Sequence, residues 1–195
     1  MNILVIKSSV FGDNGNSSTL VNEQVERLKA QHPDATVVVR DLSADPIPHL
    51  DGERVGAFFT PADQRSEAQQ AVDDFSLALI EELKAADQVV LGLPMYNFGI
   101  PSQLKSWIDH VARAGITFRY TENGPQGLLN DKPVTVVAAR GGLYAGTEND
   151  TVTPYIRLFF GFVGITDLSF VFAEGLNMGD DSKEKAMSEA RAALQ

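Results

Sequence analysis

Apolar residues in this chain fall into two patterns that alternate along its length. Residues 2–6 (NILVI), 35–40 (ATVVVR), 89–93 (VVLGL), 134–138 (VTVVA) and 168–172 (LSFVF) are short, nearly continuous runs. They are too short for helices and have the character of parallel strands buried on both faces. Between them, apolar positions recur every three or four residues, as in Leu20, Val21, Val25 and Leu28, then Val72, Phe75, Leu79 and Leu83, then Leu104, Trp107, Ile108 and Val111. Each set predicts a helix with one core-facing stripe, and Trp107 is expected in the core.

Punctuation supports this division. Ser17 or Ser18 is the expected N-cap of the first helix, and Ser66 with Gln69 has the spacing of a capping box. Pro101 suits a first helical turn, Gly115 closes that helix, and Thr153 with Pro154 opens another. The body of this last helix, residues 155–163 (YIRLFFGFV), is apolar nearly all round, which predicts a second covering surface and hence a homodimer. Residues 41–61 carry Pro46, Pro48, Gly52 and Gly56 and are expected to form an irregular loop. Residues 116–129 read as a hairpin with Thr117, Phe118 and Tyr120 on one arm and Asn123, Gly124 and Pro125 at the turn. A closing helix is expected from 182 to 195.

Five strands alternating with helices predict an α/β fold: a doubly wound five-stranded parallel sheet in the flavodoxin-like order 2-1-3-4-5, with helices on both faces. At 195 residues the chain suits one domain spanning 1–195. A net charge of -10 argues against nucleic acid or an anionic membrane as partner. Cysteine is absent, so thiolate chemistry and Cys-based metal sites are excluded, and no metal site is expected. Residues 1–7 run straight into a strand pattern without a targeting segment, so a cytoplasmic protein is expected.

In this order a ligand crevice opens beyond the carboxyl ends of strands one and three. The first of those loops, KSSVFGDNGNSS (7–18), leads into a helix N-terminus suited to a phosphate, with Ser9, Asn16 and Ser17 as further hydrogen-bonding groups. It matches neither GxxxxGK[ST] nor GxGxxG, which disfavours a nucleoside triphosphate or a tightly held dinucleotide. The second, LGLPMYNFGIPSQLK (91–105), is stiffened by Pro94 and Pro101 and offers Met95, Tyr96, Asn97 and Phe98 to a flat, partly polar ring. After the fourth strand, Ala139, Arg140, Gly141 and Gly142 allow close backbone approach to a ligand. Phe118, Tyr120 and Phe162 are aromatic candidates for a substrate pocket. His32, His49 and His110 lie in surface-like contexts and are expected to be solvated or structural.

KSS near the start, PMYNFGIPSQLKSW, VARAGITFRYTENGPQGLL, ARGG, TPYIRLFFGFVGITD and FVFAEG together resemble the FMN-dependent NADH azoreductases, also described as NADH:quinone oxidoreductases, across nearly the whole chain. The resemblance implies that Ser9, Gly15, Asn16 and Ser17 bind the FMN phosphate. It implies that Met95, Tyr96, Asn97 and Phe98 hold one edge of the flavin ring and Ala139, Arg140, Gly141 and Gly142 the other. Asn97, Gly141 and Gly142 would then tune the flavin, with no side chain acting as acid or base. Gly15 stands where members often carry a hydroxyl residue, which shifts phosphate binding toward backbone N–H groups. NADH or NADPH is the implied donor, and quinones and azo compounds the implied acceptors. A flavodoxin-type one-electron carrier is the alternative reading of the same fold.

Overall fold

The five apolar runs assemble into one sheet. The computed structural model, which describes residues 1–194, contains β1 (Asn2–Lys7), β2 (Thr36–Asp41), β3 (Gln88–Pro94), β4 (Phe118–Thr121), β5 (Gly124–Gly127), β6 (Val134–Ala139) and β7 (Leu168–Ala173). The main sheet has the order β2-β1-β3-β6-β7 with every neighbouring pair parallel, while β4 and β5 form a separate antiparallel ribbon. Counting only the parallel strands, this is the expected order 2-1-3-4-5.

The helices are α1 (Asn16–Gln31), α2 (Gly52–Phe59), α3 (Glu67–Ala85), α4 (Ser102–Val111), α5 (Val152–Val163) and α6 (Asp180–Ala193). Successive strand residues point to opposite faces, so each strand feeds two cores. Ile3, Val5, Val90 and Val137 pack with Leu20, Val21 and Leu28 of α1 and Met187 of α6. On the other face Leu4, Ile6, Leu91 and Val136 pack with Leu79 and Leu83 of α3, Trp107 of α4 and Phe160 of α5. Full burial of each such side chain contributes about 1.5–3 kcal/mol. The strand β2 is an edge, and its Val38 and Val39 remain exposed.

The capping box forms as expected, with Ser66 Oγ accepting Gln69 N–H at 3.2 Å and Gln69 Oε1 accepting Ser66 N–H at 3.0 Å. Other boundaries differ from the sequence reading. Residues 52–59 form a helix despite Gly52 and Gly56, because Asp51 caps it through Arg54 N–H at 2.9 Å and the Arg113 guanidinium stacks 3.7 Å from the Phe58 ring. Helix α1 starts at Asn16, ahead of both predicted serine caps, with Gly15 in the capping position. Helix α4 ends at Val111, and Gly115 lies beyond it in a left-handed bend, φ 81°. Helix α5 starts at Val152, and Asp150 Oδ1 accepts Thr153 N–H at 3.1 Å, so the aspartate serves where Thr153 was expected. The ribbon turns at residues 122–123, placing Gly124 and Pro125 on its second strand.

His110 is 0% exposed, not on the surface. Its ring meets Phe58 and Phe75 edge-on, and Nδ1 donates to Ser106 O at 2.9 Å. Burial pushes its pKa down, which keeps it neutral and structural. Next to it, Asp73 of α3 bridges Arg113 at 2.6 Å and Arg65 at 2.5 Å, fastening α3 to the segment that follows α4 and to the one that precedes α3.

Candidate functional site

The carboxyl ends of β1, β3, β6 and β7 converge on a cleft of about 160 Å³ lined by residues of all four following loops. Ser9, Gly15, Asn16, Ser17, Met95, Tyr96, Ala139, Arg140 and Gly141 all line it, so the sequence-predicted candidates come together from three separate stretches. A larger hollow of about 590 Å³ between α2 and α3 contains none of them. Of its polar groups, Arg54 is committed to Asp51, and Ser66 and Gln69 to each other.

At one end of the cleft stands the start of α1. No side chain caps this helix, leaving its first-turn N–H groups free to bind an anion. Ser17 Oγ is buried there without a hydrogen-bond partner in the protein. An unpaired buried hydroxyl is unfavourable, so this arrangement is adapted to a ligand oxygen. Gly15 makes the approach possible. A Cβ on Gly15 would lie 2.1 Å from Ser9 Oγ and 2.7 Å from Ser9 Cβ, so the two positions accommodate one side chain between them. Ser9 Oγ in turn accepts Phe11 N–H at 3.2 Å and lies 3.4 Å from Tyr96 Oη, tying the β1 loop to the β3 loop.

The β3 loop doubles back at residues 97–98. Tyr96 and Gly99 exchange backbone hydrogen bonds of 3.0 and 2.9 Å. Asn97 and Phe98 between them adopt φ values of 50° and 61°. Two consecutive positive φ values mark a primed turn; Asn tolerates this conformation, but for Phe it is strained. The strain holds Phe98 outward, 56% exposed and edge-on to Tyr144 at 5.6 Å. Neither Asn97 nor Phe98 lines the 160 Å³ cleft itself; Phe98 lines a separate hollow with Thr151, Val152 and Tyr155.

The β6 loop presents backbone. The carbonyls of Arg140, Gly141 and Gly142 accept N–H groups from Leu176, Asn177 and Gly175 at 3.1, 3.0 and 3.0 Å. The N–H groups of Gly141 and Gly142 have no acceptor among the described residues. Arg140 lines the cleft, yet its side chain is 1% exposed and turned into the protein. There it meets Asp150 at 2.8 Å, Thr153 Oγ1 at 2.6 Å and Glu174 at 3.1 Å. Gly142 sits beside the cleft against the Tyr144 ring.

Phe118, Tyr120 and Phe162 form a cluster of their own, with Phe118 4.2 Å from Phe162 and 5.6 Å from Tyr120. They do not line the cleft. Sequence reasoning missed Phe11, Pro94, Leu176 and Asn177 as lining residues. The signal for the last two was available, since the loop after the fifth strand must emerge at the same sheet edge. Among the described residues no cluster of three or more His, Asp or Glu suits a metal ion, and no helix is long and apolar enough to cross a membrane.

The pairing of Gly15 with Ser9 is testable by thermal melting. Gly15→Ala is expected to destabilise the protein by about 1–3 kcal/mol through overpacking, and adding Ser9→Gly should recover most of that loss. Independent, additive effects of the two changes would contradict the geometry.

Comparison with known proteins identifies the family. A sequence profile described as Flavodoxin-like fold matches residues 1–195. A relative from Alcanivorax borkumensis named FMN-dependent NADH:quinone oxidoreductase is 81% identical over 194 residues, covering 100% of this chain and 98% of the relative. One of the same name from Cellvibrio japonicus is 56% identical, covering 99% and 96%. The crystal structure of an azoreductase from Bacillus anthracis str. Sterne superposes with a TM-score of 0.90 at 28% identity, covering 100% and 96%. A FMN-dependent NADH-azoreductase from Bacillus anthracis str. Ames Ancestor, solved in complex with FMN, gives 0.88 at 27% identity, covering 99% and 97%. By sequence over its whole length and by fold, the chain belongs to the family of the Flavodoxin-like fold.

Proposed function

We propose that this protein is an FMN-dependent oxidoreductase that takes two electrons from NADH and passes them to quinones or azo compounds, donor and acceptor using the site in turn. The observation that carries this reading is one cleft that gathers unsatisfied donors from two loops, the bare N-terminus of α1 with Ser17 and the amide of Gly141, with that of Gly142 next in sequence. The names of the close relatives support it. For a quinone the balance is NADH, quinone and one proton giving NAD⁺ and hydroquinone, the proton coming from solvent. Bound FMN supplies the hydride-accepting and electron-returning chemistry.

The protein's part is binding and orientation. Ser9, Gly15, Asn16 and Ser17 receive the phosphate, whose charge is favoured by the helix dipole without a basic side chain. Met95, Tyr96, Asn97 and Phe98 bound one edge of the ring, and Ala139, Arg140, Gly141 and Gly142 the other. Amides of Gly141 and Gly142 donate where negative charge collects on reduction. Phe118, Tyr120 and Phe162 belong to the substrate side, completed by a second copy of the chain. Leu158 of α5 is 72% exposed and Tyr120 of the adjoining ribbon 75%, an apolar face suited to a homodimer. We place this activity in the cytoplasm, which cell fractionation tests.

Anaerobic absorbance spectra test the chemistry. FMN-loaded protein should bleach with NADH and recover its flavin band with benzoquinone, whereas a flavin left oxidised by NADH would point to the one-electron carrier. Ser17→Ala should weaken FMN binding about tenfold through loss of a charge-assisted hydrogen bond. The flavin-free variant should melt no lower than wild type, because the hydroxyl is unpaired there. Wild-type affinity by flavin fluorescence titration would remove Ser17 from the site. Sedimentation should give twice the chain mass of 21.1 kDa, and Leu158→Asp should return the monomer; a monomeric wild type would end the dimer proposal.

A further inference from the structure

We propose that Glu174 is a positioning residue that sets how strongly the bound flavin holds its electrons, an inference that rests on the FMN reading above. A single carboxylate oxygen, Oε1, accepts Tyr144 N–H at 2.9 Å, Ala145 N–H at 2.8 Å and Arg140 Nη1 at 3.1 Å. It therefore ties together the two ends of the 140–145 loop. Arg140 is anchored on its far side by Asp150 and Thr153. The backbone of 175–177 fastens the carbonyls of residues 140, 141 and 142.

Peptide geometry turns these attachments into a direction. In a trans peptide the carbonyl and the following N–H point opposite ways, and the described chain contains no cis bond. Three carbonyls held on the 175–177 segment thus turn the N–H groups of Gly141, Gly142 and Leu143 away from it. Glu174 holds the next two N–H groups, those of Tyr144 and Ala145, and stops the loop from peeling off. Donors fixed in advance stabilise charge without reorganising when it arrives.

Charge and position predict opposite effects here. Arg140 with Asp150 and Glu174 is one cation with two carboxylates, a net charge of -1. That charge by itself opposes further negative charge on a neighbouring ring. If Glu174 acted through charge, removing it would favour the reduced flavin. If it acts through position, removing it disfavours the reduced flavin.

Three variants separate these roles. Glu174→Gln removes the charge and keeps an acceptor oxygen, Glu174→Asp keeps the charge and withdraws the oxygen by one methylene, and Glu174→Ala removes both. In Glu174→Ala the preference for reduced over oxidised FMN should fall about tenfold, a midpoint about 30 mV more negative for a two-electron couple. Glu174→Asp should shift the same way by less, and Glu174→Gln should stay within threefold of wild type. In flavin-free protein, amide exchange at Tyr144 and Ala145, and at Gly175, Leu176 and Asn177, whose N–H groups hold the loop's carbonyls, should speed up at least tenfold in Glu174→Ala and little in Glu174→Gln. More positive midpoints in both the Gln and Ala variants would overturn the proposal, as would an unchanged midpoint in a folded Glu174→Ala. If Glu174→Ala does not fold, Glu174→Asp decides, a wild-type midpoint there counting against positioning. A wild type that takes up no FMN would instead defeat the functional reading, while unchanged exchange in Glu174→Ala would defeat the loop positioning by itself.

Discussion

All strands of the main sheet run the same way, and the cleft depends on that constraint. A parallel sheet delivers every loop that follows a strand to one edge. Ser9 and Ser17 arrive there from β1, Tyr96 from β3, Gly141 from β6 and Asn177 from β7. Register fixes their relative heights, with Lys7 opposite Gly92, Pro94 opposite Ala139 and Ala139 opposite Ala173. Slipping any strand by one residue would exchange the Ile3 and Val5 face with the Leu4 and Ile6 face. The two cores therefore define the site to the residue.

Away from the cleft, Lys132 and Thr117 show buried polar groups satisfied within the chain. Lys132 Nζ is held at the carboxyl end of α3 by the carbonyls of Leu83, Lys84 and Ala86, at 2.7, 3.1 and 2.5 Å. Thr117 Oγ1 donates to Val111 O at 2.7 Å and accepts Arg113 N–H at 2.9 Å. Against that background, the bare start of α1 and the unpaired amides of Gly141 and Gly142 stand out. Ser17 Oγ differs from the neighbouring unpaired Ser18 Oγ in lining the cleft. Unpaired donors gathered along one cleft are the feature on which the FMN proposal rests.

The sheet was legible because burial on both faces requires continuous apolar runs, and such runs stand out from helical spacing. The start of α3 was legible because both halves of its capping box lie within four residues. Helix α2 was not. Its glycines and flanking prolines argue locally against helix, and its support comes from Arg113, more than fifty residues away. His110 was misjudged for the same reason, since Phe58 and Phe75 enclose it from other helices. At the site, glycines and hydroxyls in the loops after β1 and β6 were readable as a ligand surface. Arg140 read as a ring contact, yet its charged group faces Asp150 and Glu174, and only three-dimensional pairing reveals where a guanidinium points. Glu174 carries no local signature at all, because its partners are backbone amides thirty residues earlier.

The exposed valines of β2 bear on how the protein behaves in crowded solution. An edge strand with apolar side chains and unpaired backbone groups is a template for pairing with another copy. No proline or lysine within β2 blocks it. Arg40 and Asp41 guard only its carboxyl end, and the long-range repulsion of a chain carrying -10 charges opposes the approach of two such edges. That repulsion vanishes near the isoelectric point of about 4.7, while the edge itself is unchanged. Colloidal stability, as distinct from folding stability, thus has its weakest point in mildly acidic solution, and added salt lowers the barrier further by screening it.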